Sequence, residues 1–404
     1  MQNKTKFFTG FFVGFIIAVF LSVGANVIVT QHLINRQGKK TEEAVQSNDT
    51  KTKLEYIGSI ISQLYLEDYD NEDLIQGAYK GLVSSLGYPY SVYYTEQEYK
   101  DLMENSSGVY CGIGVQVSQN MQNGIITVSK VFKDCPGEEA GMLPGDVIYE
   151  VAGTSVTGME LTNAVALIKG TEGTYVEIVV FRESINDYVT LNVERRKVEQ
   201  PTVEYEMLSD NIGYILLSGF EEVTAKQFKN AVDSLMSDGA KGIVVDVRDN
   251  PGGLLSSVNE ILRYILPKGT MVYTIDKNGK KVTYDCDGSH ELDIPMAVIT
   301  NGNSASAAEI FSGALKDYNK ATLVGTTTFG KGIVQSVIPL SDGSAVKLTV
   351  SKYYTPNGVN IHGTGITPDV EVELDEELKY SVSIPHDKDN QLQKALEVLK
   401  SKMN

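Results

Sequence analysis

The chain has 404 residues, 42% hydrophobic and 22% charged, enough for two or three domains of roughly 150 residues and unlike a disordered or collagen-like composition. Lys and Arg number 35 against 52 Asp and Glu, a net charge of -17 that repels phosphate backbones and argues against nucleic-acid binding. Three cysteines (Cys111, Cys135 and Cys286) without CxxC spacing indicate neither a zinc site nor a disulfide framework.

Residues 7–29 carry no charge and follow Lys4 and Lys6. As a helix such a run is about 34 Å long, enough to span a hydrocarbon core. It exceeds the usual cleavable signal, so the expectation is an uncleaved single-pass anchor, with a cleaved, secreted form as the alternative. The body would then lie on the extracytoplasmic side of the cell membrane. A polar tether follows, so that residues 1–52 make up anchor and tether. Residues 53–107 show helical spacing, in Leu54, Ile57, Ile61 and Leu64 and again in Leu74, Ala78 and Leu82. Tyr90, Tyr93 and Tyr94 are read as packing residues.

From 108 to about 197 short β-branched runs (114–117, 125–128, 146–149 and 175–180), punctuated by Gly, Asn and Pro, surround one helical stretch at 161–168. They predict a small β-rich domain. Between 198 and 380, strands such as 212–217, 243–247 and 296–299 alternate with helices near 225–236 and 305–315, which predicts an α/β core with a largely parallel sheet. Residues 381–404 end in an amphipathic helix with Leu392, Ala395, Leu396 and Leu399 on one face, suited either to core docking or to a homo-oligomer contact.

Residues 325–332, GTTTFGKG, nearly spell a Walker A loop. The hydroxyl that should follow the lysine is absent, and 333–339 reads as a strand where a phosphate-binding helix should start. No nucleotide site is expected.

The informative stretch is 301–311, NGNSASAAEIF, directly after an apolar strand. A strand, a turn of small residues and a helix present a serine at a helix N-terminus, where free amides and the dipole stabilise an oxyanion. Such a serine needs a base. His362, in a Gly-rich segment, is the one serious histidine. Lys331 competes, since burial lowers a lysine's pKa and the flanking Gly330 and Gly332 permit close backbone approach.

Ser304–Glu309 (SASAAE), then Phe329-Gly330-Lys331-Gly332 with Gln335 four residues beyond the lysine, resembles the carboxyl-terminal processing peptidases, or tail-specific proteases. Gly112-Ile113-Gly114-Val115 and 140–146 (AGMLPGD) are similar to the carboxylate-binding loop and GLxxGD-type signature of that family's PDZ domain. Asp249-Asn250-Pro251-Gly252-Gly253 matches its glycine turn, and 363–369 (GTGITPD) its late core motif. The resemblance, which covers residues 53 to about 375, implies an α/β peptidase core with mixed sheet and helices, crotonase-like, carrying an inserted PDZ domain at 108–197; the apolar run at 7–29 adds the expected N-terminal transmembrane anchor. It implies Ser306 as nucleophile, Lys331 as general base and Gln335 as the residue orienting the lysine, with amides of Gly252, Gly253 and Ala307 forming the oxyanion hole. Gly112, Ile113, Gly114, Val165 and Ile168 would bind the C-terminal tail of a protein substrate ending in apolar residues. The family needs neither metal nor cofactor. In this chain Lys169 replaces a common arginine, which puts the contact of that side chain between PDZ domain and core in question. The competing reading is a catalytically silent PDZ adaptor at the membrane surface; an intact Ser306, Lys331 and Gln335 argue against it.

Overall fold

The computed structural model describes residues 49–379, 381 and 384–403. The apolar stretch 7–29 lies outside them, and among the described residues no helix is long and apolar enough to cross a membrane. The chain divides into two compact units, the first ending at Leu82. Its described part consists of α1 (Thr50–Leu64) and most of α2 (Asn71–Ser84), where the sequence spacing predicts helix. Asp49 caps α1 by accepting from the Thr52 amide at 2.9 Å.

The second unit departs from the expected run of helix at once. Residues Val92–Tyr94 form a strand, β1, before α3 (Glu96–Ser107). A reciprocal capping box between Thr95 and Glu98 starts α3, and Gly108, at φ 68°, ends it.

The β-rich region follows as β2 (Val109–Gly112), β3 (Val115–Gln119), β4 (Ile126–Val131), α4 (Pro136–Glu139), β5 (Val147–Val151), β6 (Thr154–Ser155), α5 (Leu161–Ile168), β7 (Tyr175–Arg182), β8 (Asp187–Glu194) and β9 (Arg196–Glu199). Its main sheet has the order β3-β4-β5-β7-β8 and is antiparallel throughout. Alternation along β7 turns Val176, Ile178 and Val180 into a core with Val128, Val151 and Val193. Strands β2 and β9 pair with each other, so the chain enters and leaves this region side by side, as an insertion should.

The core then runs through β10 (Val203–Leu208), β11 (Ile212–Leu217), α6 (Thr224–Ser237), β12 (Gly242–Asp246), α7 (Leu255–Ile265), β13 (Gly269–Asp276), β14 (Lys281–Cys286), β15 (Met296–Thr300), α8 (Ala307–Asp317), β16 (Ala321–Gly325), β17 (Ile333–Pro339), β18 (Ala345–Tyr354), β19 (Val370–Glu371) and α9 (Asn390–Lys402). One sheet has the order β10-β11-β12-β15-β16-β19 and is parallel except for β10. Ile215, Val245, Val298 and Leu323 face α6, α7 and α8 in one layer of core; Tyr214, Val244, Ala297 and Val324 face Leu392, Ala395 and Leu399 of α9 in another. Burial on both faces explains the unbroken apolar runs in these strands. It also settles the role of α9, whose apolar stripe docks on the core and is closed to a homo-oligomer contact. A second, antiparallel sheet, β1-β18-β13-β14 with β17 on β18, has no counterpart in the expected architecture.

Candidate active site

The adjacent parallel strands β12, β15 and β16 end at the same edge of their sheet, and each carboxyl end launches one of the expected catalytic segments. Such an edge is where open α/β sheets hold ligands. The loop after β12 carries Gly252 and Gly253, the loop after β15 carries Ser306, and the loop after β16 carries Lys331.

Polar side chains stitch the first two loops together. Buried Asn250 donates from Nδ2 to the Leu217 carbonyl at 2.7 Å, and its own carbonyl accepts from the Ala305 amide at 2.9 Å. Ser304 Oγ donates to the Val247 carbonyl at 2.7 Å, and Asn301 and Asn303 both donate to Asp249 Oδ1. Held this way, Ser306 adopts φ 54° and ψ -112°, a region sparsely populated by residues with a side chain, as the N-cap of α8. The expected helix 305–315 therefore starts at Ala307. Gly252 sits against this turn at φ 102°: a Cβ there would lie 2.7 Å from the Ala305 carbonyl oxygen and 2.8 Å from Ser306 Cβ. Glycine is needed at that position for space as well as conformation.

Fully buried Glu309 ties the loop of the expected nucleophile to the loop of the expected base, a role absent from the expected site. Its carboxylate accepts from the Ser306 amide at 2.9 Å, the Thr328 hydroxyl at 2.6 Å, the Gly330 amide at 2.7 Å and the Lys331 amide at 2.8 Å. Four donors offset the cost of burying the charge. The spacing Ser306-x-x-Glu309 is the capping-box signal that could have revealed it. On the far side of Lys331, Gly332 has no room for a side chain, since a Cβ would lie 2.5 Å from the His362 amide nitrogen.

Ser306, Lys331, Gln335, Gly252, Gly253 and Ala307 all line one cavity of about 420 Å³, and His362 is not among its lining residues. The side chains are not yet in a working arrangement. No hydrogen bond joins Ser306 to Lys331; Lys331 Nζ lies 4.5 Å from the centroid of the Tyr90 ring, and Gln335 Nε2 reaches Thr349 Oγ1 at 3.5 Å. Burial, then the positive charge of Lys347, holds the Lys331 pKa below its ordinary value against the opposing pull of Glu309. Of the expected oxyanion-hole amides, Gly253 and Ala307 make no hydrogen bond among the described residues, while Gly252 already donates to Asn250 Oδ1 at 2.8 Å. Two of the three amides are thus free to receive an oxyanion.

The expected tail-binding residues Gly112, Ile113, Gly114, Val165 and Ile168 line a second cavity, of about 570 Å³. Its floor is apolar, because Ile113 and Ile168 belong to the core of the β-rich region. The Ile113 and Gly114 amides make no hydrogen bond among the described residues. Lys169, the departure from the family pattern, retains a contact outside its region: Nζ pairs with Glu104 of α3 at 2.8 Å and lies over the Tyr110 ring. Arg195 instead holds the end of α5, donating to the carbonyls of Leu167 and Ile168.

Family models match this chain in three segments: an Activating protease CtpB N-terminal domain at residues 15–98, a PDZ domain at 127–182 and Peptidase family S41 at 211–372. Carboxy-terminal processing protease CtpA of Bacillus subtilis is 38% identical over 335 residues, which is 82% of this chain and 71% of that protein. Carboxy-terminal processing protease CtpB of the same organism is 38% identical over 325 residues, 80% of this chain and 67% of that one. The fold is similar to that of an S41 protease structure from Bacteroides fragilis, with a TM-score of 0.54 at 17% identity over 86% of this chain and 97% of that one. Its mixed α/β architecture with a PDZ domain, and its extended identity to two processing proteases, make this chain a member of peptidase family S41 and a serine-type hydrolase of the carboxy-terminal processing group.

Proposed function

We propose that the chain is a serine endopeptidase working through a Ser306–Lys331 dyad oriented by Gln335, on extracytoplasmic proteins that its PDZ domain selects by their C-terminal tails. The observation that carries the reading is the convergence of Ser306, Lys331, Gln335 and two free amides on one cavity at the carboxyl ends of adjacent parallel strands. Neutral Lys331 takes the proton of Ser306 Oγ as the oxygen bonds to the scissile carbonyl carbon. The Gly253 and Ala307 amides hold the resulting oxyanion. Collapse breaks the C–N bond, the Lys331 ammonium returns its proton to the leaving amine, and water, activated by Lys331, hydrolyses the ester on Ser306. Apo catalytic hydrogen bonds commonly tighten only with substrate present, which accommodates the open Ser306–Lys331 pair.

In the PDZ groove the Ile113 and Gly114 amides receive the substrate's terminal carboxylate. Its last strand adds to the sheet edge, and an apolar final side chain enters between Val165 and Ile168. Residues 7–29 anchor the body to the membrane from outside the cytoplasm. Turnover of a peptide with a free apolar C-terminus tests the reading. Ser306→Ala and Lys331→Ala each abolish cleavage with an unchanged melting curve; near-normal turnover in Lys331→Ala overturns the dyad.

A further inference from the structure

Lys331 is half-buried in a cavity that also holds a second cation, Lys347. Its ammonium makes no hydrogen bond or ion pair among the described residues; what meets it is the Tyr90 ring, at 4.5 Å from the centroid. That is well within cation–π range. Gln335, which should orient the amine, is turned to Thr349.

The ring is braced from behind. Tyr88 meets Tyr90 edge to face at 5.7 Å between centroids, and the Tyr88 hydroxyl shares a 3.1 Å hydrogen bond with His362 Nε2. His362 in turn packs against Gly332, next to the lysine itself. A few residues on, Tyr94 lies 5.2 Å from Lys347 Nζ, and the β1–β18 register sets Val92 opposite Lys347. One short segment therefore offers an aromatic face to each lysine of the cavity.

We propose that Tyr90 is a positioning residue of the peptidase reaction: its ring face holds the Lys331 ammonium away from Ser306 in the resting enzyme and releases the side chain once the amine is neutral. The inference rests on the reading of Lys331 as the base. The groups facing Lys331 are Lys347 and Tyr353 of β18, Glu309 of α8, and Glu221 across the cavity, with His362 behind Tyr88. Burial and Lys347 favour the neutral amine, and Glu309 favours the cation. A ring face adds to the side of Glu309, because its quadrupole attracts only the charged form. Removing the ring should make the base available at lower pH.

The test is the rate at which a fluorophosphonate labels Ser306 in the full chain, followed from pH 5 to 10. Tyr90→Leu lowers the pH of half-maximal labelling by about 0.5–1.5 units, the range of a cation–π contact converted to pH. Tyr90→pentafluorophenylalanine, which keeps the ring's shape and reverses its quadrupole, lowers it similarly and decides the matter if the leucine variant misfolds. Tyr90→Phe keeps the wild-type midpoint. An unmoved midpoint in the leucine and pentafluoro variants, or an equal shift in Tyr90→Phe, overturns the role of Tyr90. Lys331→Ala, run in parallel, separates the two ideas: loss of labelling there leaves the dyad standing whatever Tyr90 does, and wild-type labelling there removes the dyad and the Tyr90 proposal together.

Discussion

The cavity lined by Ser306 and Lys331, the proposed catalytic one, is braced by buried polar side chains, whereas the groove of the PDZ region is shaped by backbone and apolar packing. In the core, Asn250, Ser304 and Glu309, all essentially inaccessible to solvent, fix the turns that carry Gly253, Ser306 and Lys331. A further buried network lies behind them, where Arg248 joins Asp246, at the end of β12, to Asp389, the N-cap of α9. In the PDZ region the groove rests on Ile113 and Ile168, and the buried Asp146–Arg182 pair holds the turn around Leu143 rather than the groove itself. Bond-making chemistry needs particular atoms held to fractions of an ångström, and tail capture needs an open strand edge and an apolar slot. Substitutions should therefore be severe in one region and graded in the other.

The largest effect expected is in the core. Ser306→Ala and Lys331→Arg both abolish cleavage, the second because a guanidinium does not give up its proton. Peptide turnover with melting curves checks both, and residual activity in Lys331→Arg would break the contrast. Arg248→Met leaves Asp246 and Asp389 buried without their cation, an expected loss of about 3–5 kcal/mol of stability in denaturant titration. Gly252→Ala pushes a methyl against Ser306 and Ala307 and should cost roughly 10²–10³ in kcat, the scale of a lost oxyanion donor. Across the PDZ groove the effect is smaller. Converting a substrate's terminal carboxylate to an amide should raise KM by roughly tenfold, about the worth of one charge-assisted hydrogen bond, with kcat little changed. Equal rates for acid and amide would remove tail recognition.

Titration sharpens the contrast further. Because the Lys331 pKa is depressed, kcat/KM rises with pH and levels off below the ordinary lysine value of about 10.4. The same shift has a stability sign. Between the folded and unfolded pKa values the unfolded chain binds the extra proton, so stability at this site grows as pH rises through that window. Lys331→Met should accordingly melt no lower than wild type at neutral pH. A marked fall in its melting temperature would mean that the lysine serves structure rather than chemistry.

Local pattern made much of this legible. Strands 212–217 and 333–339 and helix 161–168 have the boundaries predicted by an unbroken apolar run, by a β-branched run that stops at proline, and by a helical stretch, respectively. Helix α7 escaped because buried Ser257 and Asn259 interrupt its stripe just behind the glycine turn. The antiparallel sheet escaped because pairings such as Tyr273 with Tyr354 join segments far apart in sequence, with no local signature. The same reasoning covers Tyr90. Read as packing, it lies instead over Lys331, a contact that only the tertiary fold creates. Glu309 is the opposite case, since its spacing from Ser306 was there to be read.

The central claim is that the ends of β15 and β16 deliver a nucleophile and its base to one cavity. Peptide mapping of the fluorophosphonate adduct at neutral pH tests it most directly. The adduct should fall on Ser306 alone, and its formation should slow by roughly 10³ or more in Lys331→Ala, the scale on which removing one member of such a pair disables the other. An adduct on another residue, or wild-type labelling in Lys331→Ala, would contradict it.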